Sequence, residues 1–172
     1  MATRKEAKRK SLLQLLTLLV VAAVIVAVVV LAQTWLKNRP DPLPQETALT
    51  VSWGDQKREV LPYLVAEPGA QAQDGQVDTI EVSDQDTVTI EVPDHVADHD
   101  WTAVMIYSDP AANDQVVHGP HEASSVEVAV TSERGSDAKL SVVEIQSVLI
   151  GKDEQGQEAP FTTVWSVATQ HA

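Results

Sequence analysis

The sequence predicts an all-β ectodomain preceded by one N-terminal transmembrane helix. Three observations carry that expectation. Residues Ser11 to Leu36 form a 26-residue uncharged stretch whose centre, Leu18 to Ala32, is unbroken aliphatic. From about Ala48 to Ala168 there is no long 3.6-residue apolar period, and short Val/Ile/Thr-rich runs recur between turn residues instead. The formal charge also changes sign along the chain. Residues 1–40 hold seven Lys or Arg against Glu6 alone, and residues 41–172 hold five against 24 Asp or Glu, so +6 and −19 make up the −13 of the whole.

The first element is the apolar stretch. A helix of this length reaches about 39 Å, more than the ~30 Å of hydrocarbon that a spanning segment must cross. The cluster Arg4, Lys5, Lys8, Arg9 and Lys10 precedes it. Cationic flanks stay in the cytoplasm, so residues 1–10 are expected as a cytoplasmic tail and residues 11–36 as a signal anchor in the lipid bilayer. Everything after about Pro40 is then exported. Lys37 and Arg39 weaken this bias without reversing it, and Trp35 falls at the depth of the outer headgroups. The alternative is cleavage after Val30, Leu31 and Ala32, which would release a secreted protein beginning near Gln33. The length of the stretch favours the anchor, because a secretory apolar region runs about 7 to 15 residues. The span carries no Asp, Glu, Lys, Arg or His and so offers no proton or ion path of its own.

Residues 37–47, with Pro40, Pro42 and Pro44, read as a stiff stalk, since each Pro lacks an amide donor and biases its predecessor to extended geometry. The β domain is expected over 48–170. Ala48 to Trp53 ends at the turn signal Gly54 and Asp55, and Arg58 to Val65 follows, with Pro62 marking an edge or a bulge. Glu67 to Gln76 reads as a loop. Val77 to Val82 and Thr87 to Val92 flank a polar turn, and Val88, Ile90 and Val92 alternate with Thr87, Thr89 and Glu91 as in a strand with one wet face. Trp101 to Tyr107 is the most apolar run and the candidate central strand. Val126, Val128 and Val130 alternate again. Leu140 to Ile150 is long enough to bend or cross between sheets, and Thr162 to Ala168 closes the series. Eight or so strands in about 120 residues fit an immunoglobulin-like sandwich or similar architecture, with Trp101 or Trp165 in the core. The chain has no cysteine, so such a domain rests on its apolar core without disulfides.

Motifs for chemistry are sparse. There is no Cys nucleophile, Gly-x-Ser-x-Gly elbow, Gly-rich phosphate loop or His-Glu-x-x-His helix, so no catalytic residues and no cofactor are expected. Five basic residues beyond the stalk are too few for a nucleic-acid or anionic-lipid surface. The segment Asp94 to Asp100 places His95 and His99 four apart beside three carboxylates, as a divalent metal site requires if the loop forms a helical turn. His118 and His121 would complete the coordination if their loop met the first. The plainer reading is a solvated polar loop. Asp84, Asp86 and the pair Asp153 and Glu154 are loop carboxylates of the kind that bind Ca²⁺ in extracellular β modules, though none has EF-hand spacing and charge-rich turns are the ordinary explanation. Trp53 and Tyr63 are interaction candidates if exposed, and His171 is expected to be disordered at the terminus.

Several segments together resemble a known family. They are Val143 to Gln146, Gly151 through Gly156, Glu158 with Pro160, and Thr163 to Val167 near the C-terminus. Upstream are Pro93, Val96, Ala97, Asp100 and Trp101, Tyr107 with Asp109, and the Leu61, Pro62 and Tyr63 element. This pattern resembles an uncharacterised actinobacterial family of membrane-anchored or secreted proteins. Its members often carry a Cys just after that Tyr, where Leu64 stands here. The resemblance implies an envelope location in a high-GC Gram-positive organism, and no catalytic residue to carry over. The expected role is an interaction or scaffolding module with an envelope or membrane protein partner. The alternative is an extracytoplasmic metal- or small-ligand-binding protein using His95, His99, His118 and His121.

Overall fold

A computed structural model of the chain describes residues 4–37, 42–67, 73–132, 134, 137–153 and 155–171. The chain divides into two units, Met1–Asp41 and Pro42–Ala172. In the first, helix α1 (Arg4–Lys37) takes in both the basic cluster and the apolar stretch, so residues 4–10 continue the helix that follows them. Its 18 residues Thr17–Thr34 are apolar and long enough to cross a membrane, and none of them is buried. The side chain of Trp35, and Arg39 and Pro40, lie outside the described residues.

The second unit is a sandwich of two sheets. Strands β1 (Leu49–Trp53), β2 (Gln56–Val60), β6 (Thr87–Glu91) and β9 (Ser125–Ala129) form a four-stranded antiparallel sheet in the order β2-β1-β6-β9. The seven-stranded sheet has the order β4-β3-β11-β10-β7-β8 and comprises β3 (Leu64–Ala66), β4 (Gln73–Asp74), β7 (Trp101–Tyr107), β8 (Asp114–His118), β10 (Leu140–Lys152) and β11 (Glu158–His171). Its seventh strand, β5 (Asp78–Val82), pairs in parallel with the C-terminal half of β11. A single helical turn, α2 (Asp94–Ala97), leads into β7.

Alternation places the core. In β1, Leu49, Val51 and Trp53 point inward between half-exposed Thr50 and Ser52, and in β6 Val88 and Ile90 do the same. Trp101 and Trp165 are each 1% exposed and meet Leu49, Ile80, Ile90, Leu140 and Ile145 in one cluster between the sheets. The most apolar run, Trp101–Tyr107, does lie inside its sheet, flanked by β10 and β8.

Four local expectations are corrected. The run Arg58 to Val65 is two strands in different sheets: β2 ends at Val60, and Leu61, Pro62 and Tyr63 carry the chain across, the Tyr63 amide donating to Val164 O at 3.0 Å. Pro62 has no amide to donate to a ladder, which suits it to that crossing. Of the bend or crossover expected of Leu140 to Ile150, the crossover is corrected: β10 stays within one sheet, with a register shift between Leu140 and Val142. His171 is ordered as the last residue of β11, its Nε2 2.8 Å from Leu140 O and its register partner Val82. Finally, the end of the expected stalk belongs to the sandwich. Pro44–Glu46 is a 3-10 turn with Pro44 buried, and Thr47 is 1% exposed.

Candidate functional site

The histidine-bearing segments do form a helical turn and do meet. Pro93 precedes α2, and the Val96 and Ala97 amides both donate to its carbonyl, closing the turn that carries His95. The loop after β8 docks on it: the His121 amide donates to Ala97 O at 2.7 Å, and His121 Nδ1 lies 2.9 Å from Asp98 Oδ1. His121 adopts a left-handed φ of 61°, and the Gly119 amide donates to Glu122 Oε2, so the loop is tightly turned. A cavity of about 360 Å³ lies between the two segments, bordered by Asp94, Asp98, His121 and Glu122.

The four imidazoles are nevertheless not brought into one sphere. His95 Nε2 reaches the Thr47 hydroxyl at 3.0 Å. His99, just past the end of α2, turns its Nδ1 back to His95 O at 3.0 Å. His118 is a strand residue, not a loop residue, and its ring stacks at 4.2 Å on Trp101 across the β7–β8 pair. Of the four imidazoles only that of His121 borders the cavity, beside Asp94, Asp98 and Glu122. Among the described residues no group of three or more His, Asp or Glu is arranged to hold a metal ion. The physical reason is that each ring has been taken by a different neighbour of the fold.

The calcium candidates are likewise engaged. Asp84 Oδ2 lies 2.9 Å from Lys139 Nζ, whose charge opposes a cation there. Asp86 Oδ2 accepts from the Ser83 amide, and Asp153 Oδ1 accepts from the Gln155 and Gln157 amides, so both cap turns. Glu154 lies outside the described residues. Trp53 is buried beneath Arg58, whose guanidinium carbon is 5.7 Å from the ring centroid, and Tyr63 is half-buried.

Thr47 and His95 make the arrangement nearest to a nucleophile and base. The Thr47 hydroxyl donates to Leu43 O at 3.2 Å and lies 3.0 Å from His95 Nε2. Thr47 is 1% exposed, and the two contacts tie it to the 3-10 turn before it and to α2. The Thr47 carbonyl in turn accepts from Trp165 Nε1 at 2.8 Å.

Sequence reasoning missed a different feature. The sandwich has two flanks, and they differ. On one, Arg58 of β2 donates to Thr79 O of β5 at 3.0 Å and faces Asp78, closing the gap between the sheets. On the other, edge strands β9 and β8 leave a cleft of about 330 Å³, bordered by Met105, Tyr107, Asp114, Glu127, Ala129 and Arg134. Tyr107 Oη donates across its floor to Ala129 O at 2.9 Å, and Arg134 Nη2 holds Asp114 Oδ2 at 2.6 Å at its rim. Strand β8 gave little signal because Val116 is half-buried and Val117 exposed, so its alternation is shallow.

Compared with known proteins, the sequence matches over residues 42–170 the model of a family described as "Protein of unknown function (DUF2771)". That range begins just before the buried Pro44 and includes both flanks. No curated protein matches the chain.

Proposed function

The chain belongs to the DUF2771 family of unknown function, and on that premise we propose a non-enzymatic, single-pass cell-envelope protein whose acidic β domain is an interaction or scaffolding module. The helix Thr17–Thr34 anchors it in the bilayer with its N-terminus in the cytoplasm, as the basic residues ahead of the span favour. The envelope is that of a high-GC Gram-positive cell, and the β domain sits beside a larger membrane protein as an accessory subunit. The anchor concentrates the domain at the membrane surface, so that modest surface complementarity suffices for binding.

One observation carries this reading. Among the described residues the domain's histidines and turn carboxylates contact other parts of its own fold, whereas the flank between β8 and β9 holds a lined cleft. A metal-binding role would need at least three of the His, Asp and Glu side chains around one ion, and among the described residues no such group is arranged.

Isolation of the full-length protein from its native membrane in mild detergent, with the intact mass of the bait recorded, tests the proposal. The expected result is a bait of 18.6 kDa with a membrane protein in fixed stoichiometry. A lone bait shortened by about 32 residues would mean a cleaved and released domain and would overturn the anchored reading.

A further inference from the structure

We propose that the open flank binds an extended, cationic peptide segment of a partner, which adds to the four-stranded sheet along β9. This rests on the recognition reading above and names the partner's chemistry.

The first support is backbone geometry. In the β6–β9 pair the Val92 amide donates to Ser124 O, and the Val130 amide donates to Asp86 O. Hydrogen-bonded pairs alternate along an antiparallel ladder, so Val126 and Val128 face β6 with their backbone groups while Ser125, Glu127 and Ala129 face away. Among the described residues no strand pairs with β9 on that second side. The Ala129 carbonyl takes the Tyr107 hydroxyl, and the Glu127 amide and carbonyl and the Ala129 amide remain directed along the cleft.

The second support is the contrast between the two edges of that sheet. Edge strands invite further pairing, and proteins block it with charged side chains and cross-links. β2 carries Lys57, Arg58 and Glu59, and Arg58 ties it to β5. β9 reads Ser-Val-Glu-Val-Ala, with no Lys, Arg or Pro, and its strand propensity is high. The less blocked edge is the one beside the cleft, with Glu127 as its single charge and the Tyr107 hydroxyl on Ala129 O as its cross-link, and the buried Met105 and Val128 line the cleft beneath it.

Charge selects the occupant. Residues 41–172 hold 24 acids against five Lys or Arg, so the domain's field attracts cationic segments and repels acidic ones. Glu127 and Asp114 border the cleft, and the one Arg there, Arg134, is paired with Asp114. A second copy of this acidic domain would meet like charge on the same approach.

The test uses full-length protein in detergent micelles with a short acetylated peptide alternating lysine with valine and threonine, and a control with glutamate in place of lysine. The expected result is saturable binding of the lysine peptide alone, with slowed hydrogen exchange at the Glu127 and Ala129 amides. Glu127→Pro removes an outward amide and a carboxylate beside the cleft while leaving the amides that face β6 in place, and is expected to weaken binding about tenfold or more; Glu127→Gln removes the carboxylate alone and is expected to weaken it less. The exchange measurement on the unaltered protein stands if the proline variant does not fold. Binding without protection at those two amides, or no binding of the lysine peptide, overturns the edge proposal. A partner isolated from membranes would in that case leave the recognition reading standing at another surface, whereas its absence would remove that reading independently.

Discussion

Thr47 holds three partners at once: its hydroxyl lies between Leu43 O and His95 Nε2, and its carbonyl accepts the Trp165 indole. These bonds seat the first residues of the sandwich against α2 and β11. Trp165→Phe keeps most of the buried ring but leaves the Thr47 carbonyl without its donor, and should cost about 1–3 kcal/mol in chemical denaturation. The histidines are also read at this scale. Because His95, His99, His118 and His121 each have a separate neighbour, saturating Zn²⁺ or Ca²⁺ should leave the melting temperature of the full-length protein unchanged; a rise of several degrees would restore a metal site. The sequence showed His95 and His99 four apart and left the helical turn and the meeting of the two loops as conditions. It could not show that His99 would turn back onto its own helix or His118 stack on Trp101, because both depend on side-chain direction after the sheets have packed.

Elements with clean alternation were legible before folding. β1, β6 and β9 lie where apolar residues recur at every second position, Leu49, Val51 and Trp53 in the first and Val or Ile in the others, since one face of each meets the core. β8 and β4 were not, being short and polar, and their pairing is supplied by β7 and β3. The division of Arg58–Val65 between two sheets was hidden for another reason: a Pro announces an interruption and not its direction. The hairpin of β10 and β11 gives two sharp tests. At Gly151 an added Cβ would come within 2.8 Å of both Phe161 and Pro44, so Gly151→Ala should destabilise by about 1–3 kcal/mol as those rings give way. Deleting residues from Thr169 onward removes the register partners of Ile80, Glu81 and Val82. Ile80 and Val82 are buried, so the truncated protein should melt several degrees lower and lose exchange protection in β5 first.

At the scale of the whole molecule, composition and function meet in charge and in the open flank. The +6 of residues 1–40 and the −19 of the remainder were plain in the sequence, as was the division into an apolar helix and a β domain. The cleft was not, because it lies between strands β8 and β9 of different sheets, and no spacing along the chain reports which edges end up side by side. Since the chain has no cysteine, one can be placed at any site as a unique attachment point. The most direct measurement is photo-crosslinking in native membranes from Glu127→Cys beside the cleft, with Glu59→Cys on the opposite edge strand β2 as the control. The account predicts a discrete partner adduct from position 127 and none from position 59. Equal labelling from both positions, or an adduct from position 59 alone, would contradict recognition at the open flank.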